Sequence, residues 1–273
     1  DDFTDLVDHQ PSETRGVEFS EAYEETYPPE VAVADLAVAN QLAGPDDLRF
    51  RLHLPLPGEP AGIRLKVFSR QSLELARVIP HLSPLGVDVV DERPFEWELR
   101  GARVLVYDFG LRPVPAAPAA ADWDADTRRR FVAAFEASWR GRCEPGRFNQ
   151  LVLTAGLGWR EVAWLRGISR YLLQAGVGFS QQYIAACLQA NTAIAAGLVR
   201  AFRAKFDPDA YPDPAERDAA LEQERAGLAA ALDAVGSLDH DRILRMFLAV
   251  IDAMVRTNAF TDPAALAYKL EPA

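Results

Sequence analysis

Apolar and polar residues alternate along Leu48, Phe50, Leu52, Leu54 and Leu56, the period-two pattern of a strand with one buried face. Pro57-Gly58 then turns the chain, and Ile63, Leu65 and Val67 repeat the alternation. A helix is expected over 71–82, bent or ended early by Pro80. Gly86 restarts strand signal through Val87, Val89 and Val90, with Pro94 marking a bulge or an edge. Arg100-Gly101 reads as the turn of a hairpin whose arms are 95–99 and 104–107. A further helix over 31–43, stopped by Gly44-Pro45, precedes these elements. The order strand, strand, helix, strand, strand predicts a small α+β unit over 31–111, a four-stranded antiparallel sheet with helices on one face. Its edges, expected at 48–56 or 104–107, offer unpaired backbone groups through which such units join.

Pro113, Pro115 and Pro118, set among alanines, predict an extended linker over 112–121. Beyond it the period changes to that of helices. Phe131, Phe135 and Trp139 fall on one helical face. Val162, Leu165, Ile168 and Leu172 form a second stripe, closed by Gly176 just past the helix end. Phe179 before Ser180, with Ile184 following, fits a hydrophobic staple around a serine N-cap. Asp213-Pro214-Ala215-Glu216 is a start signal of cap, first-turn proline and capping-box glutamate. Ile243, Met246, Phe247, Val250, Ile251, Met254 and Val255 keep the helical period throughout. Residues 122–260 therefore read as an all-α helical bundle.

Charge adds one asymmetry. The net charge is −11, and the first fifty residues hold 13 acids against two bases, Arg15 and Arg49. The acidic excess thus lies in the leader, and the rest is neutral. Residues 1–30 read as an acidic leader, extended or partly ordered. A neutral body lacks the basic field that phosphate backbones require, which argues against nucleic acid as a partner. No apolar run reaches the ~20 residues of a membrane span, and the first residues lack the layout of a secretion signal. Cys143 and Cys187 cannot build a disulfide framework and, with four scattered histidines, suggest no metal site; a reducing cytoplasm is the expected setting.

Candidate chemistry is sparse. Gly156-Leu157-Gly158 and Gly176-Val177-Gly178 invite a nucleotide-binding reading, but that fingerprint needs a preceding strand and a third glycine. Glu161 and Gln181 stand in the third-glycine places, and both pairs read as turns between helices. His240, within Ser237-Leu238-Asp239-His240-Asp241-Arg242, fits a capped helix start better than an acid–base pair. His81 reads as a packing residue, Arg128-Arg129-Arg130 as a solvated helix face, and Trp123, Trp139, Trp159 and Trp164 as core aromatics. No catalytic, cofactor-binding or metal-binding residues are assigned.

Several stretches together resemble a known family. They are Asp91-Glu92-Arg93-Pro94-Phe95-Glu96 with Val106-Tyr107-Asp108-Phe109-Gly110-Leu111, and Phe148-Asn149-Gln150-Leu151 running on to Trp159-Arg160-Glu161-Val162. Arg170-Tyr171-Leu172-Leu173-Gln174-Ala175-Gly176, Phe179-Ser180-Gln181-Gln182-Tyr183, Phe206-Asp207-Pro208 and Arg256-Thr257-Asn258 complete the set. In this order they are similar to the large NAD-specific glutamate dehydrogenases of bacteria, in the stretch upstream of the catalytic domain. The resemblance covers roughly residues 30–271. It implies an ACT-like domain over 31–111, helical motifs over 122–260 and a lead-in to the catalytic domain over 261–273.

The same resemblance implies a parent enzyme that deaminates L-glutamate to 2-oxoglutarate with NAD, assembled as a homo-oligomer. That chemistry uses a lysine in a glycine-rich setting, whereas Lys66, Lys205 and Lys269 read as a strand, a helix-end and a tail residue. The segment is thus expected to regulate and assemble rather than catalyse, with a purely structural spacing module as the alternative. ACT relatives bind small amino acids where a strand meets the following helix, which here is Ser69, Arg70, Gln71 and Ser72. N–H groups at that helix start, with Arg70, would meet a carboxylate.

Overall fold

In the computed structural model, which describes residues 17–55 and 62–271, the chain divides into two units, before and after the Val132–Ala133 bond. The first unit is built on a five-stranded antiparallel sheet. Its elements are β1 (Val17–Glu18), α1 (Glu21–Thr26), α2 (Pro29–Ala39), β2 (Leu48–His53), β3 (Ile63–Ser69), α3 (Leu75–Leu82), β4 (Val87–Leu99) and β5 (Ala102–Pro113). The strand order is β1-β4-β5-β3-β2.

The α+β class and the strand–strand–helix–strand–strand order agree with the sequence pattern. The hairpin turns at Arg100 and Gly101, both with positive φ (53° and 73°), the conformation a two-residue loop between twisted strands requires. Pro94 pairs with Tyr107 in register. On its other side β1 reaches only Glu98 and Leu99, so among the described residues Pro94 lies on an open length of β4, where a missing N–H costs nothing. The bulge falls between Val89 and Asp91 instead. Leu56 and the Pro57-Gly58 turn lie outside the described residues.

Three expectations are corrected. The sheet has five strands, because Val17 and Glu18 pair with Leu99 and Glu98. Residues 17–30 are therefore folded: Tyr23 and Tyr27 are buried, and the rings of Phe19 and Tyr23 each lie 4.8 Å from that of Trp97. Burying two large aromatics, at roughly 2–3 kcal/mol each, outweighs what the acidic composition suggests. Second, helical segments meet both faces. Ala32, Leu36 and Ala39 of α2 pack in one core with Phe68, Trp97, Val104 and Val106, whereas Leu73, entering α3, donates its N–H to Tyr107 Oη, and Tyr107 alternates with Val106 across β5. Third, 104–107 is no edge: β5 is flanked by β4 and β3, and β2 is the outermost described strand on that side.

The proline-rich stretch stays largely at the surface and is tied down near both ends. Val114 N–H bonds to Gly86 O at 3.0 Å, Trp123 Nε1 donates to Pro118 O, and Trp123 is buried against Phe131 with ring centroids 5.1 Å apart.

Helix α4 (Ala125–Trp139) carries the chain into the second unit, which contains α5 (Leu151–Thr154), α6 (Trp159–Gln174), α7 (Gln181–Ala190), α8 (Thr192–Phe206), α9 (Pro214–Asp233) and α10 (Leu238–Ala253). The caps are where the residues put them. Ser180 Oγ accepts from Tyr183 N, Asp213 from Ala215 and Glu216 N, and Ser237 from His240 N. Phe179 stacks on Tyr183. Gly176, at φ +84°, ends α6 with its N–H on Leu173 O. The last stripe is shorter than its period suggests: α10 stops at Ala253, and Met254–Thr257 forms β6, paired antiparallel with β7 (Tyr268–Leu270). Among the described residues no single helix is long and apolar enough to cross a membrane; α7 and α8 reach that length only jointly and bend by 100°.

Candidate functional site

The four expected effector residues are adjacent, but not at a helix start. Helix α3 begins at Leu75 after Glu74, beyond the 71 the period suggested. Ser69, buried, closes a tight turn: its Oγ accepts from Gln71 N at 3.0 Å and donates to Gln71 O at 2.7 Å. Gln71 Nε2 donates to Asp46, and Leu73 N–H is held by Tyr107 Oη. Two N–H groups that could meet a carboxylate are therefore committed within the protein, while Arg70 Nη1 is buried without a hydrogen-bond partner. Ser72 is exposed.

Beneath α1 and α2 lies a charged layer that the strand pattern hid. The polar positions of β2 and β3, read as solvent-facing, are Arg51, His53, Arg64 and Lys66. The folded leader covers them, and two fully buried carboxylates answer them. Asp35 of α2 accepts from Tyr23 Oη at 2.6 Å, from Arg51 Nη1 at 2.5 Å and from Lys66 Nζ. Asp108 of β5 accepts from Tyr27 Oη and faces His53 Nε2 at 3.3 Å. Arg64 Nε is 3.1 Å from Asp108 Oδ1 but off-line for a hydrogen bond; its Nη2 reaches Asp91 Oδ1 at 2.6 Å and Asp108 O at 3.1 Å. The Lys66 ammonium stands 3.4 Å from the centre of the Tyr27 ring.

Burial pushes the Asp108 carboxyl upward, yet the hydrogen bonds from His53 and Tyr27 and the charge of Arg64 outweigh it and bring it to about 2. Burial and the neighbouring carboxylates hold Tyr23 and Tyr27 well above the usual phenol range. Burial lowers Lys66 in spite of Asp35. Asp35 joins α2 to β2 and β3, and Asp108 joins β5 to Tyr27 just past α1, so the arrangement locks two layers together. The signal for it was available: Asp35 interrupts an otherwise apolar run, and Tyr23 and Tyr27 stand one helical turn apart.

In the second unit the chemistry gathers around α6. Arg166 is only 6% exposed; its Nη2 donates to the amide oxygen of Asn149, and burial lowers its pKa. Cavities of about 660 Å³ and 270 Å³ both have Arg166 in their walls. A third, of about 440 Å³, is bounded by Trp159, on which the Arg160 guanidinium lies 4.3 Å from the ring centre. Trp164 is a core residue, stacked on Phe202 at 4.7 Å. Gly156 and Gly158 form a turn between helices, and Glu161, in the supposed third-glycine place, accepts from Gly158 N at 2.7 Å and caps α6. His240 lies in the first turn of α10, its Nδ1 3.2 Å from Asn191 Nδ2. Burial raises the Cys187 thiol to about 12.

Lys66 and Lys205 are placed as the sequence suggested, whereas Lys269, read as a tail residue, is part of a paired strand. Lys66 is in β3 and Lys269 in β7. Lys205, at the end of α8, donates to Ile251 O and Asp252 O at the end of α10.

Three family descriptions match stretches of this chain: "Glutamate dehydrogenase, ACT3 domain" over 47–127, "Glutamate dehydrogenase, helical motif 3" over 143–208, and "Bacterial NAD-glutamate dehydrogenase, catalytic domain" over 227–272. The last begins well before the 261 at which the sequence placed the lead-in to that domain. Among curated proteins, the chain is similar to the NAD-specific glutamate dehydrogenase of Mycobacterium tuberculosis, 39% identical over 89% of this chain and 15% of the relative. It is similar to those of Halomonas elongata (33% over 93% of this chain and 16% of the relative) and Pseudomonas aeruginosa (34% over 95% and 16%). The chain spans about a sixth of the length of these relatives.

Proposed function

We propose that this chain, which belongs to the bacterial NAD-specific glutamate dehydrogenases as a segment bearing their ACT3 domain and helical motif 3, regulates and assembles its parent enzyme. On this reading the parent deaminates L-glutamate to 2-oxoglutarate with NAD, in the cytoplasm and as a homo-oligomer, and the reacting centre lies outside residues 1–273. The observation that carries the reading is the order of the matched stretches. An ACT domain and a helical motif lead, within one chain, into residues 227–272, which resemble the catalytic domain. Residues of that last stretch are seated on the helical motif, since Tyr268 Oη of β7 donates to Trp164 O of α6 at 3.1 Å. A change in α6 therefore has a mechanical route toward catalysis. Regulation needs two states that a ligand favours unequally.

The test is kinetic. The full-length parent should oxidise glutamate with NAD, its rate should respond to a small amino acid, and Arg70→Ala should shift that response while leaving the unstimulated rate unchanged. An unaltered response removes Ser69, Arg70, Gln71 and Ser72 from sensing. The alternative, a structural module that spaces domains and fixes oligomer geometry without sensing, is favoured by the closed Ser69–Gln71 turn. It predicts that no amino acid changes the rate.

A further inference from the structure

Arginine brings five N–H donors in a rigid fork and keeps its charge at any accessible pH. Burying it is unfavourable unless an anion answers the charge. Arg166 follows that rule only in part, since the charge of Glu144 acts on it without pairing with it. It is 6% exposed, and among the described residues no carboxylate lies within ion-pair distance; the Asn149 oxygen is its one hydrogen-bond acceptor. The nearby carboxylate, Glu144, is held by Arg170 instead. Arg166 also lines the cavity of about 270 Å³, whose walls include Glu144, Gly146, Arg147, Gln181 and Gln182.

Two further features give this cavity a positive field. Gln181 and Gln182 open the ten-residue helix α7, so their N–H groups precede the first intrahelical bond and sit at the positive end of its dipole. Ser180 Oγ and Ser180 O take the N–H groups of Tyr183 and Ile184 and leave the first two unclaimed. Arg147, exposed at the mouth, adds a second guanidinium. A buried cation without a paired counter-ion, sharing a small cavity with a helix start, is a complementary arrangement for an oxyanion.

We infer that the cavity between Arg166 and the start of α7 binds a small oxyanion, the carboxylate or phosphate group of a metabolite-sized molecule, which supplies the counter-charge Arg166 lacks. The volume admits such a molecule. Glu144 on the rim, opposite in charge to the site, narrows the choice to ligands that tolerate or bond to a carboxylate beside their anionic group. This site is distinct from Ser69, Arg70, Gln71 and Ser72. It is a statement about binding, independent of whether the segment regulates its parent.

The experiment is calorimetric titration of the 273-residue chain with inorganic phosphate and, separately, with succinate. At least one should bind at a single site and raise the unfolding temperature. Phosphate binding alone identifies a phosphate site, and succinate binding alone a carboxylate site. Arg166→Gln should weaken binding by roughly tenfold or more, the loss expected for a charge-assisted hydrogen bond. Because Arg166 is buried and its variant could fail to fold, Gln182→Glu, an exposed change at the mouth, provides the second arm. It should leave the fold intact, weaken binding several-fold and abolish the rise in unfolding temperature. Absence of binding by both anions overturns the inference, as does undiminished affinity in Gln182→Glu.

Discussion

Tyr268 rests on Gly167. A Cβ placed at Gly167 would stand 2.5 Å from Tyr268 Oη and 3.2 Å from two ring carbons, so a side chain there and the seated tyrosine exclude one another. Since Tyr268 also bonds to Trp164 O, one helical turn of α6 positions β7. Gly167→Ala is expected to unseat the ring, at a cost of about 1–3 kcal/mol, and to loosen the β6–β7 ribbon. Hydrogen exchange followed by mass spectrometry should show faster exchange across 254–257 and 268–270. Unchanged exchange there would mean that the ribbon does not depend on this contact.

Asp35 answers Lys66, Arg51 and the Tyr23 hydroxyl at once, so its removal strands buried charge. Asp35→Asn should destabilise the chain by about 3–5 kcal/mol, the usual result of removing one member of a buried pair. Tyr23→Phe, which deletes one neutral donor and keeps the ring, should cost only about 1 kcal/mol. Urea unfolding followed by circular dichroism measures both. Equal losses would refute the assignment of Asp35 as the counter-ion.

Acid should expose Asp108. Its carboxyl, near 3.8 when solvated, is held at about 2 in the folded chain, so the folded state binds that proton less readily than the unfolded one. The corresponding stability, on the order of 2 kcal/mol, is present above pH of about 4 and is lost as the pH falls toward 2. Asp108→Asn should be less stable at neutral pH and show a shallower decline across that window. A decline as steep as in the parent chain would assign the acid sensitivity to other carboxylates.

What the sequence revealed and what it concealed divide along a physical line. Signals acting within a few residues were legible. Ser180, Asp213 and Ser237 cap the helices they precede, and Arg100-Gly101 turns the hairpin. Signals depending on what covers a surface were not. Arg64 and Lys66 alternate with apolar residues just as solvent-facing positions do, yet the elements packed over the sheet bury both. Arg166 illustrates the same limit. It sits in a helix among Val162, Leu165 and Ile168, and nothing local announces that the guanidinium is enclosed without a carboxylate. The β6–β7 ribbon was missed because the helical period of Phe247 and Ile251 runs on through Met254 and Val255, while the cross-strand partners, Tyr268 to Leu270, are remote in sequence.

The hairpin at Arg100 and Gly101 allows a prediction of sign rather than size. Both residues have positive φ, and Leu99 pairs with Ala102 on either side of them, so the loop has two residues. Left-handed backbone costs a side chain about 1 kcal/mol, less for asparagine, whose amide bonds locally. Arg100→Asn should therefore stabilise the chain by a few tenths to about 1 kcal/mol, because the native conformation is unchanged and the strain is reduced. Gly101→Ala, at φ 73° with nothing nearby for a Cβ to strike, should destabilise by a similar amount through backbone strain alone. Thermal unfolding of the two variants beside the parent chain should move the midpoint in opposite directions. A shift of the same sign in both would mean that the turn does not limit the stability of the β4–β5 pair.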